Sequence, residues 1–530
     1  MRSPRASIAP YEVVPVQTAL QRSAARLPDK VAIIDGERRE TFRQLDEHSD
    51  RFAAALATLS VAKGDRVGIL APNCIEFEVA FYGVLKAGAV ATTINSGYRE
   101  REVAHQLENS GAEILVVDRS LVDTANLARD GARNVKRLIV IEETSADPDS
   151  FWGLVEGGPA TPPEVSISPN EDLAVLPYSS GTTGLNKGVM LTHFNLHCNA
   201  RQFTDRPGEI AAPTESDVIL VHLPLFHIYG LNVLMNPLVS IGATQVLMGR
   251  FDIDALLDLV SRHRVSALYS VPPVGLALGQ HPKLGSYDLS ALKFALFGAA
   301  PTSREMQIRL EETLGKPVIQ GYGLTEVSPL SNVDYVEPDL RRLGSVGPAV
   351  ADSEQIVVDV DTGKEVPYGE LGELLVRGNL VMKGYYNNPD ATRETISEDG
   401  WLHTGDLVSM EETGHVRIRD RKKELIKYKG FQVPPAELEG LLLEHPAVAD
   451  VAVIGKADAE AGEIPKAFVV QKPGVEVSPD DLMGFVAGQV ATFKQVREIE
   501  FIDAIPKNPS GKILRRILAE QERAKAEGSA

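Results

Sequence analysis

Apolar residues recur along the first 350 positions in two alternating rhythms. Residues 43–59 carry Leu45, Phe52, Ala55, Leu56 and Leu59 at spacings that share one side of a helix. The run Arg66-Val-Gly-Ile-Leu70 then predicts a strand, residues 75–87 return to helical spacing, and Ala89-Val-Ala-Thr-Thr-Ile94 predicts a second strand. Short β-branched runs at 113–118, 135–141, 218–222 and 267–271 continue the alternation. A β-α-β-α order predicts a largely parallel sheet with helices on both faces, because parallel neighbours need a crossover connection.

After about residue 350 the texture changes. Gln355-Ile-Val-Val-Asp-Val360 and Gly372-Glu-Leu-Leu-Val-Arg377 are short runs with Gly and Pro between them, which predict a small β-rich subdomain. Residues 435–443, 448–454, 467–471 and 480–490 predict a compact α+β unit of about a hundred residues. The tail 515–530 is polar and is expected to fray at its end. Neither an internal repeat nor an extended low-complexity tract occurs.

Composition narrows the function classes. A chain of 530 residues with 43% hydrophobic and 24% charged residues is an ordinary globular balance spread over more than one folding unit. Its 54 Lys+Arg against 73 Asp+Glu leave a formal charge of −19, which argues against general binding to nucleic acid or anionic membranes. Positive charge for an anionic substrate must therefore be concentrated locally. Cys74 and Cys198 are far apart, without metal-ligand spacing, and read as reduced thiols. No secretory core, membrane-length apolar run or Ser-Lys-Leu terminus is present, so the cytoplasm is the expected location.

The densest chemistry lies in Tyr178-Ser-Ser-Gly-Thr-Thr-Gly-Leu-Asn-Lys-Gly188, directly after the apolar run 173–176. Hydroxyls and unencumbered N–H groups can wrap a polyphosphate, glycines let the backbone approach it, and Lys187 supplies a mobile positive charge. The stretch is not an ordinary P-loop, since Gly188 rather than Ser or Thr follows the lysine. A flexible linker has a similar composition, but strand-like runs flank this segment on both sides.

Five more segments carry candidate groups. In Gln320-Gly-Tyr-Gly-Leu-Thr-Glu326, Tyr322 can offer a flat face to a purine, Thr325 a hydroxyl to phosphate and Glu326 a hard oxygen to Mg²⁺; alone, the segment is equally a glycine turn with a helix-capping threonine. In Gly400-Trp-Leu-His-Thr-Gly-Asp406 a carboxylate could take paired ribose hydroxyls, although an Asp after Gly is ordinarily a turn residue. Arg417, Arg419, Arg421, Lys422, Lys423, Lys427 and Lys429 form a basic cluster that suits an anionic substrate or a solvated face. Lys512 leaves a Ser-Gly turn within Pro506-Lys-Asn-Pro-Ser-Gly-Lys-Ile-Leu-Arg-Arg516, and His227 sits among apolar and aromatic residues in Pro224-Leu-Phe-His-Ile-Tyr-Gly230. Singly these two read as a surface turn and a core histidine.

In this order and spacing the segments resemble the acyl-adenylate-forming superfamily of acyl-CoA synthetases, firefly luciferases and peptide-synthetase adenylation domains. The resemblance runs from about Tyr11 to Arg516. It is nearest the 4-coumarate–CoA ligase-like branch, through Phe226-His-Ile-Tyr229, Gln320-Gly-Tyr-Gly-Leu-Thr-Glu326, Lys423-Glu-Leu-Ile-Lys-Tyr-Lys-Gly-Phe-Gln432 and Pro509-Ser-Gly-Lys-Ile-Leu-Arg515. It implies an N-terminal adenylation domain over 1–422, a mobile C-terminal domain over 423–530 with its hinge at Lys423, and two half-reactions at one site. A carboxylic acid and Mg·ATP would form an acyl-adenylate, and coenzyme A would then take the acyl group.

By the same resemblance, Ser179, Ser180, Gly181, Thr182, Thr183, Gly184 and Lys187 would hold the β- and γ-phosphates. Thr325 would meet the α-phosphate and Glu326 would ligate Mg²⁺. Tyr322 would stack on adenine beside Ala299, Ala300, Pro301, Gln320 and Gly321; Asp406 and Arg421 would bind ribose. Lys512 would bridge carboxylate and α-phosphate. Lys427 and Gln432 would approach the adenylate, while Arg250, Lys429 and Gly430 would contact coenzyme A. His227, Tyr229, Phe297, Ala299, Gly321, Gly323, Pro329 and Leu330 match the acyl pocket, a lining that suits an aryl, cinnamyl-type or medium aliphatic acid.

Two departures from the family pattern stand out: Asn186 replaces the usual proline before the loop lysine, and Phe297 replaces a small residue. Phe297 either narrows the pocket or packs under the sheet. Delivery to a carrier-protein thiol, a luciferase-like oxygenase and a non-catalytic nucleotide-binding protein are the alternatives. A monomer or homodimer is expected.

Overall fold

A computed structural model describes residues 1–142, 147–179, 186–206, 208–300, 302–421, 424–429, 431–458, 461–507 and 511–528, with backbone alone for 431, 432 and 526–528. Among these residues the chain builds four sheets. The first has eight strands. Its parallel centre runs Val318–Gly323, Phe294–Phe297, Ala267–Ser270, Val218–Val221, Thr244–Leu247 and Val31–Asp35, with antiparallel Leu330–Val333 and Arg38–Thr41 at its edges. Three of the central strands are buried at every residue, as both-face burial by helices requires.

The second sheet has a parallel half, Leu173–Val175, Val90–Thr93, Arg66–Leu70, Ile114–Asp118 and Arg137–Ile141. It continues antiparallel through Lys187–Thr192 to Gly384–Tyr385, with Tyr178–Ser179 also pairing Lys187–Thr192. Helix Ile75–Lys86 is buried along its whole length, so its charges need internal partners. Arg38 and the Trp152 indole meet Glu76, and Lys86 reaches Asp46 and Asp50 at 2.6 Å. Among the described residues Glu78 meets Gln245, at 3.1 Å, and burial pushes its carboxyl up to about 8.

The predicted β-rich subdomain is an antiparallel sheet of Glu354–Val358, Leu371–Arg377, Leu402–Met410 and Val416–Arg421. Its Leu374, Val376, Leu402, Val408 and Val416 join the large core. A separate core begins with Ile426 and includes Val433, Leu438, Leu442, Val451, Val453, Val469 and Leu482. The compact C-terminal unit expected from the sequence is thus present, built on strands Val448–Asp458 and Gly462–Gln471.

The polar tail forms a helix, Arg515–Gly528. Leu518 packs with Ile454 and Phe468, and Glu522 bonds the buried Lys466 at 2.8 Å, so two inward positions anchor an otherwise polar segment. Residues Gly230–Met235 wind as a π-helical segment leading into helix Asn236–Ile241, directly after the His227 motif.

Candidate active site

A cavity of about 860 Å³ opens between the two eight-stranded sheets, the β-rich sheet and the C-terminal unit. The wall that carries Ser179 and Lys187 is built by strand pairing. Tyr178–Ser179 runs antiparallel to the strand that starts at Lys187, with Ser179 opposite Lys187. Tyr385 pairs with Val189 on the other side of that strand. Ser179 Oγ and Tyr385 OH both donate to Glu326 Oε1 at 2.9 Å, and the Lys187 ammonium lies 5.0 Å from the Tyr385 ring centroid. A serine, a lysine and a carboxylate more than a hundred residues apart are therefore neighbours. Ser180, Gly181, Thr182, Thr183 and Gly184 lie outside the described residues.

Thr325 and Glu326 sit on the single 3₁₀ turn Thr325–Val327, which turns them towards the cavity. Gly323 allows that turn: a Cβ there would stand 2.0 Å from the Pro329 carbonyl oxygen, which accepts the Leu324 N–H. The described bonds to the Glu326 carboxylate both end on Oε1. Among the described residues no group of three or more His, Cys, Asp or Glu could hold a metal ion. A lone carboxylate beside a phosphate-binding wall fits Mg²⁺, which keeps most of its waters and takes one or two carboxylates plus substrate phosphates.

Asn186, the departure before Lys187, has a structural use. Its side-chain amide donates to Tyr98 OH at 2.6 Å, and its carbonyl oxygen lies 3.2 Å from His105 Nε2. Both Asn186 and Tyr98 line the cavity. Asn186→Ala removes the side-chain bond to Tyr98, just before helix Glu100–Ser110, and leaves the backbone carbonyl's contact with His105 in place. It is expected to raise the KM for ATP about three- to tenfold, the equivalent of one hydrogen bond, with kcat held within twofold in steady-state kinetics.

The wall formed by the β-rich sheet rests on a cross-strand pair. Asp406 and Arg421 face each other in the β-rich sheet, with Arg421 Nε 2.9 Å from Asp406 Oδ1, while Tyr322 OH donates to Asp406 Oδ2 at 2.5 Å. The Asp406 carboxylate holds the Arg421 guanidinium above its ordinary range. Tyr322, Gly321, Ala299 and Arg421 line the cavity. Gln320 does not: its amide turns away and donates to Gln307 at 2.9 Å, because neighbouring strand residues face opposite sides. Ala300 is also outside the lining, and Pro301 lies outside the described residues.

On the acyl side, His227, Tyr229, Ala299, Gly321, Gly323, Pro329 and Leu330 are brought together with Phe226, Val233 and Leu296. The Tyr229 N–H donates to His227 Nδ1 at 3.2 Å. Burial, and then the Lys512 charge, push His227 down to about 4, so the neutral ring carries its proton on Nε2. Phe297 is the correction here. Leu296, one residue earlier on the strand, faces the cavity, and Phe297 packs on the opposite side; a Cβ on Gly275 would lie 2.9 Å from its ring. Phe297 is 1% exposed. Phe297→Ala is expected to cost about 3–5 kcal/mol in denaturant unfolding without changing the order of preferred acids.

The C-terminal unit closes the cavity with Lys507, Lys512, Leu514, Arg516 and Ile517. Burial, then the Arg421 charge, lower Lys512 to about 8. Arg250, Lys427 and Lys429 are outside the lining. Arg250 is exposed, Lys427 N–H donates to Glu463 at 2.7 Å, and Lys429 N–H donates to the Ala461 carbonyl at 2.8 Å. Gln432 lies on strand Phe431–Val433 opposite Lys427, while Lys423 and Gly430 lie outside the described residues.

Residues 20–386 match the model of the AMP-binding enzyme family, and residues 437–512 match that of the AMP-binding enzyme C-terminal domain. The chain belongs to the AMP-binding enzyme family. It is 41% identical to 4-coumarate–CoA ligase 3 of Arabidopsis thaliana, over 95% of this chain and 91% of that one. It is 39% identical to a 4-coumarate–CoA ligase of Pinus taeda, over 97% and 96%. Among solved structures, an anthranilate CoA ligase in complex with anthranoyl-AMP superimposes with a TM-score of 0.90 at 28% identity, covering 97% of this chain and 98% of that one. ATP-bound MatB from Rhodopseudomonas palustris superimposes at 0.86 and its apo form at 0.75, both at 30% identity, over 96% of this chain and 99% of theirs. This member of the family is an AMP-forming carboxylic acid–CoA ligase, with ATP, Mg²⁺ and coenzyme A as its co-substrates. No described helix is long and apolar enough to cross a membrane.

Proposed function

We propose that this ligase activates an aryl, cinnamyl-type or medium-chain carboxylic acid by alternating two orientations of its C-terminal domain. The observation that carries this reading is the shared cavity: Lys512 opens onto the same space as Glu326, Ser179 and an apolar pocket floored by Leu296, Val233 and Leu330. The apolar and aromatic stretch of the lining around Phe226, Tyr229, Leu296 and Leu330 supports an aryl acid, as do relatives named for coumarate and anthranilate.

In the first half-reaction a carboxylate oxygen attacks the α-phosphorus of ATP and pyrophosphate leaves. Two anions must meet, so positive charge has to be fixed where they meet. Lys512 supplies it between the acid and the α-phosphate. Lys187 and Ser179 hold the phosphates that depart, Thr325 contacts the α-phosphate, and Tyr322, Asp406 and Arg421 seat the nucleoside. Glu326 would hold Mg²⁺, which would supply charge neutralisation on the phosphate oxygens.

The C-terminal domain then turns about a hinge near Lys423, withdrawing Lys512. Coenzyme A's thiol attacks the acyl carbon and AMP leaves. Separate cores ending at Val416 and starting at Ile426 support domains of 1–422 and 423–530. The reading extends to a cytoplasmic monomer or homodimer.

The test is a panel of cinnamic, benzoic and straight-chain acids, measuring pyrophosphate release and acyl-CoA formation together. Hydroxycinnamic or benzoic acids should exceed long-chain acids by tenfold or more in kcat/KM. A flat preference, or preference for long chains, would overturn the substrate class.

A further inference from the structure

Asp420 spans the junction between the two cores. It lies on strand Val416–Arg421, paired into the β-rich sheet of the large body. Its Oδ2 accepts the N–H of Ala436 at 2.9 Å, across that junction. Ala436 is in the first turn of helix Pro435–Glu444, whose Leu438 and Leu442 belong to the small core. Asp420 Oδ1 accepts the Arg421 N–H at 2.7 Å, and the residue is 4% exposed.

The charged groups around Asp420 come from each packed element. Helix Pro435–Glu444 contributes Glu439, and helix Arg515–Gly528 contributes Arg515. Arg515 is itself bonded to Glu439 at 2.6 Å and to Glu424. On Asp420's own strand, Arg421 is engaged by Asp406. Arg515 stands three residues after Lys512, so the same cluster anchors the segment that delivers the catalytic lysine.

We propose that Asp420 is a positioning residue for the reaction: its carboxyl group clasps the small domain in the orientation that brings Lys512 into the cavity, and the proton it carries decides how readily that clasp opens. The proposal rests on the two-orientation reading above. A rotation between residues 421 and 436 separates Asp420 from Ala436 and admits water to the carboxyl group.

The sign follows from burial. In the clasped orientation burial holds Asp420 up at about 7, against the pull of the Ala436 N–H and Arg515. In water a carboxyl group ionises near its ordinary ~3.9. The clasped form thus binds the proton more tightly; acid favours it, and raising the pH through about 7 favours opening. Lys512 works the other way. Its clasped value of about 8 lies below the ordinary lysine value, so pH above about 8 favours the clasp again. The open fraction should peak between those two values.

Distance-dependent energy transfer between dyes on the full-length ligase tests this. Both native cysteines are buried, so cysteines introduced at exposed Asp130 and Gln489 can be labelled selectively. Without ligands, the wild-type transfer signal should change between about pH 5.5 and 7.3 and reverse above about pH 8, with a shift of the orientation equilibrium of roughly tenfold or more on the acid limb. Asp420→Asn should abolish the acid limb and keep the alkaline one, whereas Lys512→Ala should do the reverse. An acid limb that persists in Asp420→Asn overturns the proposal. So does a flat wild-type profile in an enzyme whose signal responds to acid, ATP and coenzyme A together. A signal that responds to neither ligands nor pH removes the two-orientation reading, and this proposal with it.

Discussion

Lys512→Ala should lower acid-dependent ATP–pyrophosphate exchange by about 10²–10³-fold or more, while leaving conversion of a supplied acyl-adenylate to acyl-CoA within a few-fold of wild type. Lys512 is the cation that the C-terminal unit carries into the cavity beside Arg421 and His227. The carboxylate and the α-phosphate repel each other until that charge stands between them, and the second half-reaction does not need it. The pH profile gives the same test without mutation. In the free enzyme the ammonium loses its proton near 8, so kcat/KM for adenylation should fall as pH rises through that value. Bound phosphates stabilise the ammonium, so the fall in kcat should lie at higher pH. Equal loss of both half-reactions in a folded Lys512→Ala protein would contradict the division of labour.

Glu326→Gln has the second-largest expected effect, about a 10²-fold loss of adenylation together with a raised Mg²⁺ requirement. The substitution keeps the shape and an acceptor oxygen for Ser179 and Tyr385, whose hydroxyls meet Glu326 Oε1 at 2.9 Å. It removes the negative charge that, in the proposed mechanism, would hold the metal against the departing phosphates. Measuring pyrophosphate release against Mg²⁺ concentration separates the two contributions. Raising Mg²⁺ should restore part of the rate if the carboxylate acts through the metal; a loss indifferent to Mg²⁺ would assign Glu326 a purely structural role.

Much of the large domain was legible because its core strands and helices follow different periods. The alternation between residues 43 and 271 foretells parallel sheets, and the two sheets found are parallel at their centres. Ser179, Lys187, Asp406 and Lys512 lie in glycine-bearing segments and Arg421 in a basic cluster, but Asp406 and Lys512 read singly as turn residues, and only the resemblance across all the segments assigns them together with Glu326. Tyr385 and Tyr98 could not be singled out. They reach the site through strand pairing with Val189 and through the Asn186 amide, and neither relation leaves a local signature.

Side-chain direction was the second blind spot. Phe297 and Gln320 belong to strands whose neighbours line the cavity, yet both point away from it. A one-residue step reverses the face of a strand, and no spacing within a four-residue apolar run says which residue faces which layer. The helix of the polar tail is not legible in the sequence for a related reason. Its inward positions, Leu518 and Glu522, find Phe468 and Lys466 only after the C-terminal sheet has formed.

The route of the acid's oxygen tests the chemistry most directly. With a carboxylic acid labelled with ¹⁸O at both carboxyl oxygens, attack on the α-phosphorus leaves one labelled oxygen bridging carbon and phosphorus. Thiol attack at carbon then releases that oxygen with AMP. Mass spectrometry of a reaction containing acid, Mg·ATP and coenzyme A should find one ¹⁸O in AMP for each acyl-CoA formed, and none in pyrophosphate. Label in pyrophosphate or inorganic phosphate, or unlabelled AMP alongside acyl-CoA, would contradict adenylation at this site.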